Sequence, residues 1–346
     1  MEILINTHRR MGLYHPQLQE IPWTAQDASL PEELFERIMP KGRTPLVDAE
    51  ALARDLGLGA LHIKDERGRM GLGSFKALGA AYVIAHDAAE GRAEGRTYIA
   101  ASAGNHGISV AAGARKFGAQ ARIFLAETVP ESFADRLRGH GADVVWAGAV
   151  YEESMAAAAD TAEREGHALL SDSSWPGYTE RPHRLMEGYL ALMSEAISQI
   201  PRPATHVFLQ AGVGGLAGAC AAYVRRVWGD APQVVVVEPE VAPALQASIL
   251  AGGPVIAPGP VSAMGRLDCK EPSLIALKSL ARDADVFLTI SEEEGAAGAA
   301  VAEKIGLPST PSGAGGLAGL LAAAGALNMG ADARALVVLS EESDTA

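Results

Sequence analysis

Cysteine is scarce: Cys220 and Cys269 are the two in 346 residues. They lie far apart, with no Cys-x-x-Cys and no metal-ligand spacing, which argues against a disulfide framework or a zinc site. Positive charge is also short, with 29 Lys and Arg against 42 Asp and Glu and a formal charge of −13. That balance disfavours nucleic acid or an anionic membrane surface as the main partner. A single phosphate remains possible, because backbone amides and a helix dipole act locally. Aromatic residues make up 5%, and no uninterrupted apolar run is long enough to span a bilayer as a helix. The start, Met1-Glu2-Ile3-Leu4-Ile5-Asn6, lacks the basic, apolar, small-residue order of a signal peptide. The expectation is a soluble cytoplasmic protein.

What is present is apolar bulk, 48% of the residues, with abundant Gly and Ala. The length allows two domains, or one large α/β unit split by a cleft. Small residues suit tight helix–sheet packing and Gly-rich ligand loops better than an all-β sandwich. Residues 1 to about 40, punctuated by Pro16, Pro22, Pro31 and Pro40, read as irregular. Beyond them the pattern alternates. Strands are expected at 60–63, 97–101, 121–125, 143–146, 168–170, 206–210, 233–238, 286–290 and 335–339, with helices between most of them. Such alternation predicts a parallel sheet covered on both faces.

Three stretches carry the chemistry. In Gly71-Leu72-Gly73-Ser74-Phe75-Lys76, one lysine sits between an aromatic and the opening of an Ala/Gly helix. Desolvation there would lower its pKa and free the amine to attack a carbonyl; an ordinary solvated lysine is the alternative. Gly212-Val213-Gly214-Gly215-Leu216-Ala217 follows a strand and opens a helix. It fits the dinucleotide pattern G-x-G-x-x-A, with Glu238 ending the next strand, but the physics is phosphate binding by amides. Ser102-Ala103-Gly104-Asn105-His106-Gly107 offers amides, a hydroxyl and a carboxamide to a carboxylate; an N-cap with a turn is the plainer alternative. An NAD-binding Rossmann protein would explain one glycine loop. A pyridoxal 5'-phosphate enzyme explains all three: Lys76 for the aldehyde, 212–218 for the phosphate and Ser102, Ala103, Gly104, Asn105 and His106 for a substrate carboxylate.

In order, Gly-Ser-Phe-Lys at 73–76, Ser-Ala-Gly-Asn-His-Gly at 102–107, Gly-Val-Gly-Gly-Leu-Ala-Gly at 212–218 and Pro-Ser-Gly-Ala at 311–314 resemble the tryptophan-synthase-β group of pyridoxal phosphate enzymes, fold type II. Within that group the chain most resembles diaminopropionate ammonia-lyases. The residues that carry this narrower likeness include Asp172-Ser173-Ser174-Trp175-Pro176-Gly177-Tyr178, Met186-Glu187-Gly188-Tyr189, and Met264 to Pro272 with its Cys269-Lys270-Glu271-Pro272. The chain departs from that family at Ala103, where an acid usually serves as second base. The loop there, like 311–314, reads as in serine/threonine dehydratases.

The resemblance implies two three-layer parallel-sheet domains with the cofactor cleft between them: residues 1–88 and 201–346, and a smaller inserted part, 89–200. It implies that Lys76 holds the cofactor as a Schiff base and then takes the Cα proton as general base. The amides of Gly212, Val213, Gly214, Gly215 and Leu216 would hold the phosphate and Asn105 the ring's 3-oxygen. Ser340 would meet the ring nitrogen, with Glu341 as the alternative one residue on. Asp172 is placed near a β-ammonium, with a solvated turn or N-cap residue as the plainer role. Glu271-Pro272 would shape the substrate side of the cleft, Cys269 would pack as a small hydrophobe, and Glu238 could be a solvated acid. The implied reaction is α,β-elimination of ammonia from 2,3-diaminopropionate or a close relative, giving pyruvate, in a homodimer. A serine/threonine dehydratase is the alternative.

Overall fold

The computed structural model describes residues 1–39 and 42–344. Its strands are β1 (Glu2–Ile5), β2 (Leu46–Asp48), β3 (Ala60–Asp65), β4 (Thr97–Ala101), β5 (Gln120–Leu125), β6 (Ala142–Trp146), β7 (Ala168–Leu169), β8 (His206–Gln210), β9 (Gln233–Pro239), β10 (Val286–Ile290) and β11 (Arg334–Leu339). Seven of them form one sheet in the order β1-β10-β9-β8-β11-β3-β2, and four form another in the order β6-β5-β4-β7. The smaller sheet is parallel throughout. In the larger sheet the two edge strands, β1 and β2, run antiparallel to their neighbours.

The helices that position the site are α1 (Ser29–Ile38), α2 (Glu50–Asp55), α3 (Lys76–Ala89), α4 (Asn105–Lys116), α5 (Glu131–Gly139), α6 (Tyr151–Glu165), α7 (Glu180–Gln199), α8 (Gly215–Trp228), α9 (Ala244–Ala251), α10 (Leu274–Asp283), α11 (Glu292–Lys304) and α12 (Gly315–Ala323). The strand–helix alternation matches the sequence expectation. The stretch before residue 40 does not read through as irregular, because it contains β1 and α1. Four residues are too short to show a period, but β1 forms because it completes the edge of the large sheet beside β10. The helices α9 and α10 also went unread beside the Pro/Gly-rich passage at 252–274.

Central strands such as Val234-Val235-Val236-Val237 are buried on both faces, which requires continuous apolar runs and a helix layer on each side. One core runs from Tyr98 and Ile123 of the smaller sheet, through α3, α7 and α8, to Val207 and Val234 of the larger one. The other face of the large sheet packs Leu61, Phe208 and Val235 against Leu317 and Leu320 of α12. The helices α3 and α7 cross closely. A Cβ on Gly79 would lie 2.7 Å from the Leu185 and Tyr189 side chains, and one on Gly188 would lie 2.7 Å from Tyr82. Larger residues at either position would push these helices apart.

A buried charge cluster braces the turn that leads to α3. Lys64 Nζ donates to Glu195 Oε2 at 2.8 Å and to the Thr44 carbonyl at 2.8 Å. The Arg69 guanidinium donates to both oxygens of Glu195 and both of Glu66, at 2.7–2.9 Å. Two cations and two anions balance, so none of the four is left as a lone buried charge.

Candidate active site

Lys76 opens α3, and its half-buried ammonium forms an ion pair with Asp172. The Lys76 Nζ also lies 5.4 Å from the centre of the Phe75 ring. Asp172 follows β7 in a turn pinned by Tyr178, whose hydroxyl donates to the Leu169 carbonyl at 2.9 Å and accepts from the Ser171 amide at 3.0 Å. The Trp175 and Tyr178 rings stack at 4.4 Å, and Ser174 and Ser273 share a 2.7 Å hydroxyl bond that fastens this turn to the start of α10. Segments almost a hundred residues apart are thereby joined.

The pairing reverses one sequence expectation. Burial, the largest single influence, does pull the Lys76 ammonium down, as anticipated, but the charge and hydrogen bond of Asp172 together with neighbouring groups make the net displacement upward. For Asp172, burial is again the largest single influence and pushes up, but the charge and hydrogen bond of Lys76 together with neighbouring groups leave the carboxyl well below its usual range. In this state the lysine is an ammonium rather than a free amine.

The glycine loop lies against the same pair. Gly214 takes φ +97° immediately before α8 and gives that helix no side-chain cap, so its first amides remain available to an anion. A Cβ at Gly214 would fall 2.9 Å from Ala276 Cβ and 3.1 Å from Leu245. The Cys269 thiol lies against Gly212, and burial and then Asp172 push it up to about 12, keeping it neutral. Tyr189 of α7 is buried, and its hydroxyl has no hydrogen-bond partner among the described residues. Its ring edge would lie 3.6 Å from a Cβ on Gly215, and burial raises its pKa while the Lys76 charge restrains it, so the phenol is neutral. An unpartnered buried hydroxyl beside uncapped helix amides is what a site built for a polar ligand leaves behind.

The third stretch forms the entry to α4. Ser102, Ala103, Gly104 and Asn105 are half-buried, and Ser102 Oγ accepts from the Gly104 amide at 3.3 Å. His106 turns inward, with Nε2 2.8 Å from the Leu170 carbonyl. Burial lowers its pKa despite the Asp172 charge, so the ring is neutral. The carboxamide of Asn105 donates to Glu341 Oε2 at 2.5 Å. Glu341 follows Ser340 at the end of β11, where the Ser340 amide donates to Gly313 at 3.1 Å and its carbonyl accepts from Phe75 at 3.0 Å.

The fold thus gathers Lys76, Asp172, the 212–216 loop, Cys269 and the 102–106 loop, with Ser340 and Glu341 at their border. Glu238 is not part of it. Its carboxylate is fully buried and accepts from the Leu245 and Gln246 amides at 2.7 and 2.8 Å, capping α9. It is therefore no solvated acid, and it is spent where a dinucleotide ribose would need it. Sequence reasoning missed Tyr189, although the segment that holds it was singled out. Next to the Asp172 turn, Ser173, Trp175, Val255, Glu271 and Pro272 are among the residues that line a cavity of about 260 Å³.

One family profile, described as pyridoxal-phosphate dependent enzyme, matches residues 38–341. The diaminopropionate ammonia-lyase of Salmonella typhimurium is 32% identical over 278 residues, 72% of this chain and 69% of that protein. A serine dehydratase-like protein of Mus musculus is 30% identical over 268 residues, 77% of this chain and 76% of that protein. The crystal structure of the Escherichia coli diaminopropionate ammonia lyase in complex with D-serine superposes with a TM-score of 0.89 at 28% identity, covering 99% of this chain and 94% of that one. The chain belongs to the pyridoxal-phosphate dependent enzyme family.

Proposed function

We propose that this pyridoxal phosphate enzyme is an ammonia-lyase that eliminates the β-amine of 2,3-diaminopropionate or a close β-substituted amino acid. With water, diaminopropionate would yield pyruvate and two molecules of ammonia. The site suits the cofactor: Lys76 for its aldehyde, the amides at the start of α8 for its phosphate, and Asn105 for its ring oxygen. When bound, the cofactor supplies an electron sink that lets a Cα proton leave. The Lys76 amine takes that proton, and the 102–106 amides orient the substrate carboxylate.

The observation that carries the substrate reading is the Lys76–Asp172 ion pair. Once Lys76 engages an aldehyde it ceases to be a full ammonium partner, and Asp172 is left as a largely buried anion. Such an anion is costly unless a cation replaces the lost one. The β-ammonium of diaminopropionate is such a cation, and the β-hydroxyl of serine is not. Pyruvate release from diaminopropionate and from serine, with 2-oxobutyrate release from threonine, tests this. Asp172→Asn should lower kcat/KM for diaminopropionate at least tenfold more than for serine, the effect of one charge-assisted contact. An equal loss on both would remove the role assigned to Asp172.

A dehydratase acting on serine or threonine is the second reading. It is favoured by Ala103, which leaves the 102–106 loop without an acid, and by the likeness to the serine dehydratase-like protein. The same substrate panel separates the two. The proposal further divides the chain into a larger cofactor-binding part, 1–88 and 201–346, and an inserted part, 89–200. The distribution of strands over two sheets supports that division. It treats the protein as a cytoplasmic homodimer, and a mass measurement in solution checks the dimer.

A further inference from the structure

We propose that the hydroxyl pair Ser174–Ser273 is a positioning device, which sets Asp172 against Lys76 and ties both to the glycine loop. This rests on the role assigned to Asp172 above. Both serines are buried, at 3% and 0% exposure, so an unmet hydrogen bond on either is costly. The helix α10 starts immediately after Ser273, yet Ser273 gives it no side-chain cap. The cap comes from Ser174, a hundred residues earlier. Its carbonyl accepts from the Leu274 amide at 3.1 Å, and its Oγ accepts from the Ile275 amide at 3.0 Å. These are two of the donors that a helix start leaves without an internal partner. In return Ser273 Oγ accepts from the Ser174 amide at 3.1 Å, and the two hydroxyls share the 2.7 Å bond.

Asp172 lies between two anchors. One residue before it, the Ser171 amide is held by the Tyr178 hydroxyl; two residues after it, Ser174 is locked to α10. The lock also reaches the glycine loop, because the Ser273 amide donates to the Val213 carbonyl at 3.0 Å. The Asp172 carbonyl itself would lie 4.0 Å from a Cβ on Gly215. A change at the serine pair therefore moves the carboxylate relative to the lysine before it moves anything else in the site. Packing alone would affect only stability, whereas positioning leaves a mark on Lys76. That ammonium is faced by Asp172, Tyr189 and Cys269, with Tyr151, Glu341 and His106 beyond. With Asp172 less closely held, burial governs the lysine more, and its neutral amine is reached at lower pH.

The test is a double-mutant cycle on the full chain with Ser273→Ala, Asp172→Asn and the two combined. Two quantities are read: the pH at which pyridoxal phosphate uptake by cofactor-free protein reaches its plateau, and the ratio of kcat/KM for diaminopropionate to that for serine. Ser273→Ala should bring the plateau to a pH between those of wild type and Asp172→Asn, and should lower the ratio about threefold or more. Added to Asp172→Asn, it should change neither. A Ser273→Ala profile that coincides with wild type overturns the proposal, as does an equal shift with and without the carboxylate. So does a ratio that stays put in Ser273→Ala while Asp172→Asn lowers it. If Ser273→Ala does not fold, Ser174→Ala removes the same bond from the other side and carries the same expectations. Should Asp172→Asn shift the uptake profile but leave the ratio unaltered, the substrate reading ends and the Ser273→Ala profile alone decides this inference. If Asp172→Asn shifts neither, the serines have nothing to position and both fall.

Discussion

Lys76 and Asp172 stand 96 positions apart and meet as an ion pair, and their titrations are linked with opposite sign. The lysine pKa is raised in the fold, so its share of stability is present below the unfolded value of about 10.4 and is lost as pH climbs through the folded value. The aspartate pKa is depressed, so its share is present above about 3.9 and is lost as pH falls through the folded value. Capture of an aldehyde needs the neutral amine. Removing the carboxylate leaves burial in control and lowers the Lys76 pKa. In Asp172→Asn the rate of pyridoxal phosphate uptake by cofactor-free protein should therefore reach its plateau at lower pH than in wild type. Stopped-flow absorbance across pH 6–10 measures it, and coincident profiles would contradict the coupling. At this scale the sequence was legible where chemistry demanded a rare setting, as at Lys76 and the two glycine loops. The direction of the Lys76 pKa was not, because it depends on a partner supplied by a distant turn. The Asn105–Glu341 contact and the spent carboxylate of Glu238 were hidden for the same reason.

The element on which an anion would rest is α8, approached through Gly214 at φ +97°. An L side chain there pays about 1–2 kcal/mol for the left-handed backbone alone. The added methyl of Gly214→Ala would also meet Ala276 Cβ at 2.9 Å, which tilts the first amides of the helix. The affinity for pyridoxal phosphate should fall at least tenfold, the equivalent of about 1.4 kcal/mol; absorbance titration of cofactor-free protein measures this. Gly215→Ala, whose Cβ would sit 3.6 Å from Tyr189 in ordinary contact, should cost less. Long, alternating elements such as β9 were plain from their valine run. The strand β1 escaped because four residues carry too little pattern, and its existence depends on β10 beside it. The helices α9 and α10 lay beside prolines and glycines that suggested loop, while their stability comes from packing onto β9, β10 and α8.

Across the whole molecule, the Lys64–Glu66–Arg69–Glu195 cluster ties the large sheet, through β3, to α7. Glu195→Gln leaves Lys64 and Arg69 with one anion between them in a buried site. Breaking such a pair typically costs about 3–5 kcal/mol, so the urea midpoint should fall markedly while the slope of the transition stays unchanged. A midpoint within error of wild type would show that water or rearrangement compensates. Nothing in the sequence pattern distinguished these charges from solvated ones.

The helix α3 begins at Lys76 and then runs as a seam, its flanks pressed against α4 on one side and α7 on the other. The nucleophile thus has no suspension of its own: it is bolted to the same beam that carries the lesser sheet. A displacement of that sheet would therefore reach the amine through the contact of α3 with α4.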